Sequence, residues 1–255
     1  MFDTHAHLSD PQLEAIRDDL LRRATEAGVE GMIAVATDAA SSLACLKMAE
    51  ENEQVLASVG IHPNDCHLAK EDDWDAIRHL ARHPRVVGIG ETGLDRYWDT
   101  CPIDLQNDWL DRHISLSFEL TKPLIIHMRD CEDDILKSLE RNQRDGQILG
   151  IMHSFTGKWE TAQACLDLGM YISFAGMVTF KNAGDLREIA ARIPADRLLI
   201  ETDSPYLTPH PHRGKRPNEP AMVQFTAECL AECRGESLTE LQRQTTENAR
   251  QVFGL

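Results

Sequence analysis

Five short apolar runs in this chain each end on side chains able to bind a metal ion. His5 and His7 end the run MFDTHAHL and Glu91 follows VVGIG. His127 sits in PLIIHMRD, His153 in ILGIMHSF and Asp203 in LLIETDSP. These side chains are spread from position 5 to position 203, so only a fold that gathers distant strand ends can make one site of them. A parallel β/α barrel does this by construction. It collects the carboxyl ends of all its strands on one face, and active sites of this fold lie there.

The rest of the chain fits that frame. Candidate strands cover residues 1–7, 31–36, 55–61, 86–91, 123–127, 148–153, 170–175 and 197–203. Helical periodicity covers 11–27, 39–51, 71–82, 104–120, 132–141, 158–168, 182–192 and 219–233, with a last helix at 238–253. Strands alternating with helices indicate βαβ units and a parallel sheet. Eight such units predict the α/β class and a (β/α)8 TIM barrel. The length of 255 residues matches one barrel of about 250, so residues 1–255 read as a single domain. An open doubly wound sheet is the alternative, but it would carry a glycine-rich phosphate turn after its first strand. Here that turn reads HLSDP.

His5 and His7 are two apart on a strand and point to one face; Asp3 is expected on that face one step deeper. Burying six such groups without partners would cost several kcal/mol each, and divalent cations supply the missing partner. Four imidazoles and two carboxylates exceed one tetrahedral zinc. They suit two ions about 3.5–4 Å apart, bridged by a carboxylate. The expected split places His5, His7 and Asp203 around one ion, His127 and His153 around the other, and Glu91 between them. Mixed nitrogen and oxygen ligands fit Zn, Mn, Co or Ni. Mg is compatible where a substrate phosphate completes its shell.

The formal net charge of −16 argues against a tight, sequence-independent grip on a polyanion. It does not argue against phosphate chemistry at bound cations, which offset local negative charge. The loop TPHPHRGKRPNEP after the eighth strand holds four prolines and a basic cluster. Phosphate sites of barrels are often built by loops there. Seven scattered cysteines with no CxxC pair point to reduced thiols and a cytoplasmic location. No secretory leader and no membrane-length apolar run is visible. With no heptad or apolar stripe, a monomer is expected.

Taken in order, DTHAHL, GIHP, GETGLD, HMRD, HSFTG, ETDSPYL and RGKRPNEP resemble the TatD-type metal-dependent deoxyribonucleases of the amidohydrolase superfamily. The resemblance spans essentially the whole chain. It implies a metal-dependent hydrolase of DNA phosphodiester bonds, with the 3′-to-5′ exonuclease activity of several members, here expected to act on a single-stranded DNA end. His5, His7, Glu91, His127, His153 and Asp203 match the family's metal ligands. Two positions depart from the pattern: Pro217 interrupts the basic loop, and Arg96 follows GLD.

Within this reading Asp203 orients the attacking water and accepts its proton, and Glu91 bridges. His62, in GIHPND, binds the scissile phosphate or protonates the leaving oxygen. Arg129 suits a phosphate or an ion pair with Asp95 or Asp130. Arg213 and Lys215 are candidates for a second phosphate, with Glu219 anchoring their loop by pairing with one of them. Glu201, two before Asp203, is a candidate acceptor for a ligand imidazole N–H. Tyr97 and Trp98 can stack on a base or pack on the rim. His210 and His212 border the active loop. His67, His79, His83 and His113 are expected to be solvent-exposed. Two rivals stand beside the nuclease. One is an amidohydrolase or phosphoesterase acting on a small molecule with the same metals; the other is a scaffold without catalysis.

Overall fold

A computed structural model describes residues 1–255. Eight parallel strands pair in sequence order: β1 (Phe2–Ala6), β2 (Gly31–Ala34), β3 (Val55–Val59), β4 (Val86–Asp95), β5 (Leu124–Arg129), β6 (Gly150–Met152), β7 (Tyr171–Phe174) and β8 (Leu198–Ile200). The helices are α1 (Arg17–Glu26), α2 (Ala39–Glu51), α3 (Glu71–Leu80), α4 (Ile103–Leu120), α5 (Glu132–Asn142), α6 (Trp159–Asp167), α7 (Gly184–Arg192), α8 (Val223–Arg234) and α9 (Leu238–Phe253). The sheet curls into a nearly closed TIM barrel. At the seam His7 N–H donates to the Ser204 carbonyl (2.7 Å) and Asp203 N–H to that of His5 (2.9 Å).

Period-two alternation divides the core. Leu124 and Ile126 face the helices, whereas Ile125 joins Phe2, Ile33, Val87, Ile151 and Leu199 in an inner cluster. Val252 and Phe253 of α9 pack against that inner cluster. Following the same alternation, the inner face runs from Ile125 to His127, from Ile151 to His153, and from Leu199 through Glu201 to Asp203. Apolar core and candidate ligands are thus successive layers of one surface.

Several strands end earlier than the hydrophobic runs suggest: His7 and His153 lie one residue past β1 and β6, and Asp203 three past β8, beside the Ala6–Ser204 bridge. β4 departs the other way and stays paired with β5 out to Asp95 opposite Arg129. Gly90 and Gly93 adopt φ of 145°, and a Cβ at either would overlap the carbonyl of Ile125 or His127. Glu91 is therefore carried on a strand held against its neighbour by two glycines. Local signals place the helices. Asp38 caps α2 by accepting from Ser41 N–H (2.7 Å), as expected of Asp at this position. Residues 11–16 form turns and a short 3-10 segment rather than the start of α1.

Two expectations fail here. Asp3 does not join the face of His5 and His7. The β1–β2 register shifts between Asp3 and Ala6, and the Asp3 carboxylate turns to Thr202, accepting from its N–H (2.9 Å) and hydroxyl (2.6 Å). His113 is not exposed but fully buried. Its Nδ1–H donates to the Trp109 carbonyl (2.7 Å), and its Nε2 accepts the Ile61 N–H (3.0 Å). α4 thereby fixes the backbone immediately before His62. All seven cysteines are free thiols, and no helix is long and apolar enough to cross a membrane.

Burial pushes the His113 pKa down to about 4, so the unfolded chain binds this proton more readily than the folded one. Stability is complete above the ordinary histidine value and falls as pH drops towards 4. Urea unfolding at pH 7.5 and pH 5 should show a loss in the wild type larger than in His113→Gln by roughly 2 kcal/mol. Equal losses in the two proteins would contradict a neutral buried His113.

Candidate metal centre

At the mouth of the barrel Glu91 is surrounded by imidazoles, and its two oxygens face different sets. Oε2 lies 3.3 Å from His5 Nε2 and 3.4 Å from His7 Nε2. Oε1 lies 3.0 Å from His127 Nδ1, 2.9 Å from His153 Nε2 and 3.5 Å from His62 Nε2. Asp203 Oδ1 stands 3.4 Å from His7 Nε2 and 3.7 Å from His5 Nε2. All six strand-end residues therefore converge. The ligand atoms of His5, His7 and Asp203 cluster, as do those of His5, Glu91 and His153, and those of His62, Glu91 and His127.

The bonds behind the rings assign their protons. His7 Nδ1 faces the Val35 carbonyl at 3.2 Å, which can only accept, so Nδ1 carries the proton and Nε2 presents a lone pair. His153 Nδ1 donates to Glu201 Oε1 (3.2 Å), which also accepts from Ser154 N–H (2.8 Å). His127 is turned round: Nε2 meets Asp95 Oδ2 at 3.0 Å, and Nδ1 faces Glu91. His62 has the opposite polarity. Its Nδ1 accepts the Asn64 N–H (3.2 Å), so in the neutral ring the single proton is on Nε2, aimed at the cage.

Charge is concentrated here. Burial alone would raise the Glu91 pKa, but His153, His62 and His5 hold it well below the carboxylate range. Burial would lower that of His153, but Glu91 and Glu201 hold it well above the histidine range. Burial depresses His62 more than Glu91 restores it. For Asp95, bonds from His127, the Trp98 N–H and Asn64 overcome burial and leave it at about 2. Glu91 Oε2 is buried with no hydrogen-bond partner, although the His5 and His7 Nε2 atoms stand 3.3 Å and 3.4 Å away. An orphaned carboxylate oxygen among imidazole lone pairs is a donor set that fits divalent cations.

The cage opens into a cavity of about 1100 Å³. Arg129 and Arg216 are the cations on its wall, beside Asp10, Asp38, Asp65, Asp130 and Glu132. The Arg129 guanidinium lies over the Tyr97 ring, 3.6 Å from its centroid, and 5.8 Å from that of Trp98. It makes no ion pair with Asp95, which is occupied by His127, or with Asp130. Arg213 instead covers Phe180 (4.1 Å), and Lys215 is exposed away from the cavity lining. Of the basic loop's cations, Arg216 is the one that lines the cavity. Glu219 pairs with Arg23 of α1 (Nε to Oε1, 3.0 Å) rather than with the basic loop. Strand-end reasoning missed Asp95, Asn64 and Arg216. Asp95 shares strand parity with Glu91, which is the signal that was available for it.

The sequence model of the TatD related DNase family matches residues 2–254. The uncharacterized metal-dependent hydrolase YabD of Bacillus subtilis is 42% identical over 253 residues, covering 99% of this chain and 98% of that one. The 3′-5′ ssDNA/RNA exonuclease TatD of Klebsiella pneumoniae is 36% identical over 261 residues, covering 100% and 98%. Among solved structures, the TatD homologue YJJV from Escherichia coli superposes with a TM-score of 0.94 at 28% identity, covering 100% and 98%.

Cations bind imidazoles only after these lose their protons. His7, His127 and His153 all hold theirs above the ordinary histidine range, each against burial. Mn²⁺ affinity measured by calorimetry should therefore be at least about tenfold tighter at pH 8 than at pH 6, with protons released on binding. It should collapse in Glu91→Ala. Affinity that ignores pH, or survives loss of Glu91, would contradict this cage.

Proposed function

Because this chain belongs to the TatD related DNase family, whose relatives include metal-dependent hydrolases, we propose that it cleaves DNA phosphodiester bonds as a 3′-to-5′ exodeoxyribonuclease acting on single strands. The observation that carries the reading is the division of Glu91, with Oε2 facing His5 and His7 and Oε1 facing His127 and His153. A carboxylate so placed suits two cations on either side of it, with Asp203 completing the first set. Divalent ions held there supply Lewis acidity towards a phosphoryl oxygen and acidify a water.

The chain's own groups handle protons and position. Asp203 stands at the open side of the cage, partly accessible, and orients the attacking water and takes its proton. Attack at phosphorus breaks the bond to the 3′ oxygen of the preceding nucleotide. His62 presents an N–H to the cage and donates that proton to the departing oxygen. The chemistry distinguishes it from the ligand histidines, which present lone pairs. Arg129 and Arg216 neutralise phosphates on the cavity wall. The half-exposed Tyr97 and Trp98 offer ring faces beside it for the unpaired bases of a single strand. The exonuclease name carried by the Klebsiella relative supports the same direction of attack.

One feature favours a different substrate. Eight carboxylates, three of them in or behind the cage, and two arginines line the cavity, a balance that favours a small phosphoester or amide over a polyanionic strand.

The test is digestion of 5′-labelled single-stranded DNA by protein reloaded with Mg²⁺ or Mn²⁺. The expected result is a ladder shortening from the 3′ end, absent in Asp203→Asn. His62→Gln should keep its metal and lose about 10²–10⁴-fold in rate. Intact DNA beside stoichiometric bound metal would move the assignment to a small-molecule substrate. Loss of metal in His62→Gln would show His62 to be a ligand.

A further inference from the structure

We propose that Asp95 is a positioning residue that decides which nitrogen of His127 faces the cage, and thereby sets the cage's grip on its cation. This rests on the metal reading above. Of the four cage histidines, three have an acceptor behind the ring: Val35 carbonyl for His7, Glu201 for His153 and Asp95 for His127. His127 is the one that approaches Glu91 through Nδ1. A free imidazole exchanges its proton between the two nitrogens, and with the proton on Nδ1 His127 would point an N–H at the place a cation must occupy. Asp95 prevents this. Its other partners are all N–H donors: Tyr97 N–H (2.8 Å) and Trp98 N–H (3.1 Å) on Oδ1, and Asn64 Nδ2 (3.1 Å) on Oδ2. A carboxylate engaged in this way accepts from His127 as well, so when a cation displaces the proton that Nδ1 shares with Glu91 Oε1 (3.0 Å), the remaining ring proton stays on Nε2.

The carboxylate is fixed before any ion arrives. The buried Gln106 of α4 accepts from Asp95 N–H (2.8 Å) and donates to the Asp95 carbonyl (3.0 Å). The same residue thus ties together β4, the turn bearing Tyr97 and Trp98, and Asn64 next to His62. An acceptor of this kind orients a metal-binding histidine and raises its basicity, and its loss typically weakens metal binding about 10–100-fold.

Asp95→Asn separates this role from a structural one. The amide oxygen can still accept from Tyr97 and Trp98, while the amide NH₂ faces His127 Nε2 and drives the proton to Nδ1. The full-length protein, stripped of metal, is titrated with Mn²⁺ by calorimetry. The expected result is affinity about 10–100-fold below wild type, with the metal-free protein still unfolding in one cooperative transition. In parallel, ¹⁵N-histidine correlation spectra of wild type loaded with Zn²⁺ should show His127 protonated at Nε2; this readout does not depend on the variant folding. Wild-type affinity in Asp95→Asn, or a His127 proton at Nδ1 in the wild type, would overturn the proposal and leave the cage reading intact. Absence of any metal uptake by wild type would overturn both.

Discussion

One buried carboxylate organises the mouth of this barrel. Glu91 is almost completely enclosed and meets five imidazoles within 3.5 Å. A charge in such a place is tolerated only where opposite charge and directed bonds compensate its lost hydration. Three of these neighbours, His7, His127 and His153, are constrained twice, in front by Glu91 and behind by the group that receives the other nitrogen, whereas His5 Nδ1 has no partner. Val35, Glu201 and Asp95 play that rear role, and the tautomers they impose leave lone pairs converging on one volume. His62 alone is held so that it offers a proton instead. The same constraint that makes the site suitable for cations separates a donor from the ligands.

The scaffold reaches this arrangement with a single repeating device. Inner-face positions alternate along each strand, apolar in the depth of the barrel and polar at its mouth. Ile125 leads to His127 and Ile151 to His153 without any change of backbone direction. Rigidity in the lower layers therefore becomes precision in the upper one. Where the pattern needs more, special elements appear: two glycines pressing β4 on β5, backbone bonds across the β8–β1 seam, and His113 bracing the segment before His62.

The barrel and the six converging residues were legible because they depend on period and position. Strand alternation is a local property, and the fold turns it directly into proximity. The readings that failed depend on particular tertiary neighbours. Asp3 has the parity of His5, but a register shift in β1 breaks that parity and gives it to Thr202. His113 lies on an amphipathic helix, and nothing nearby in sequence announces the Ile61 N–H that it accepts. In the basic loop, composition pointed to Arg213 and Lys215. The path of the backbone decides which cation reaches the cavity, and it delivers Arg216. Asp95 has the parity of Glu91, but the sequence suggested it only as a partner for Arg129, and the fold gives it to His127 instead.

The most direct test of this account is anomalous diffraction from crystals soaked in Mn²⁺. It predicts two peaks about 3.5–4 Å apart, one on each side of Glu91, with His5, His7 and Asp203 around the first and His127 Nδ1 and His153 Nε2 at the second. His62 should remain outside both coordination spheres. A single peak, or one joined by His62 Nε2, would contradict the central role assigned to a bridging Glu91.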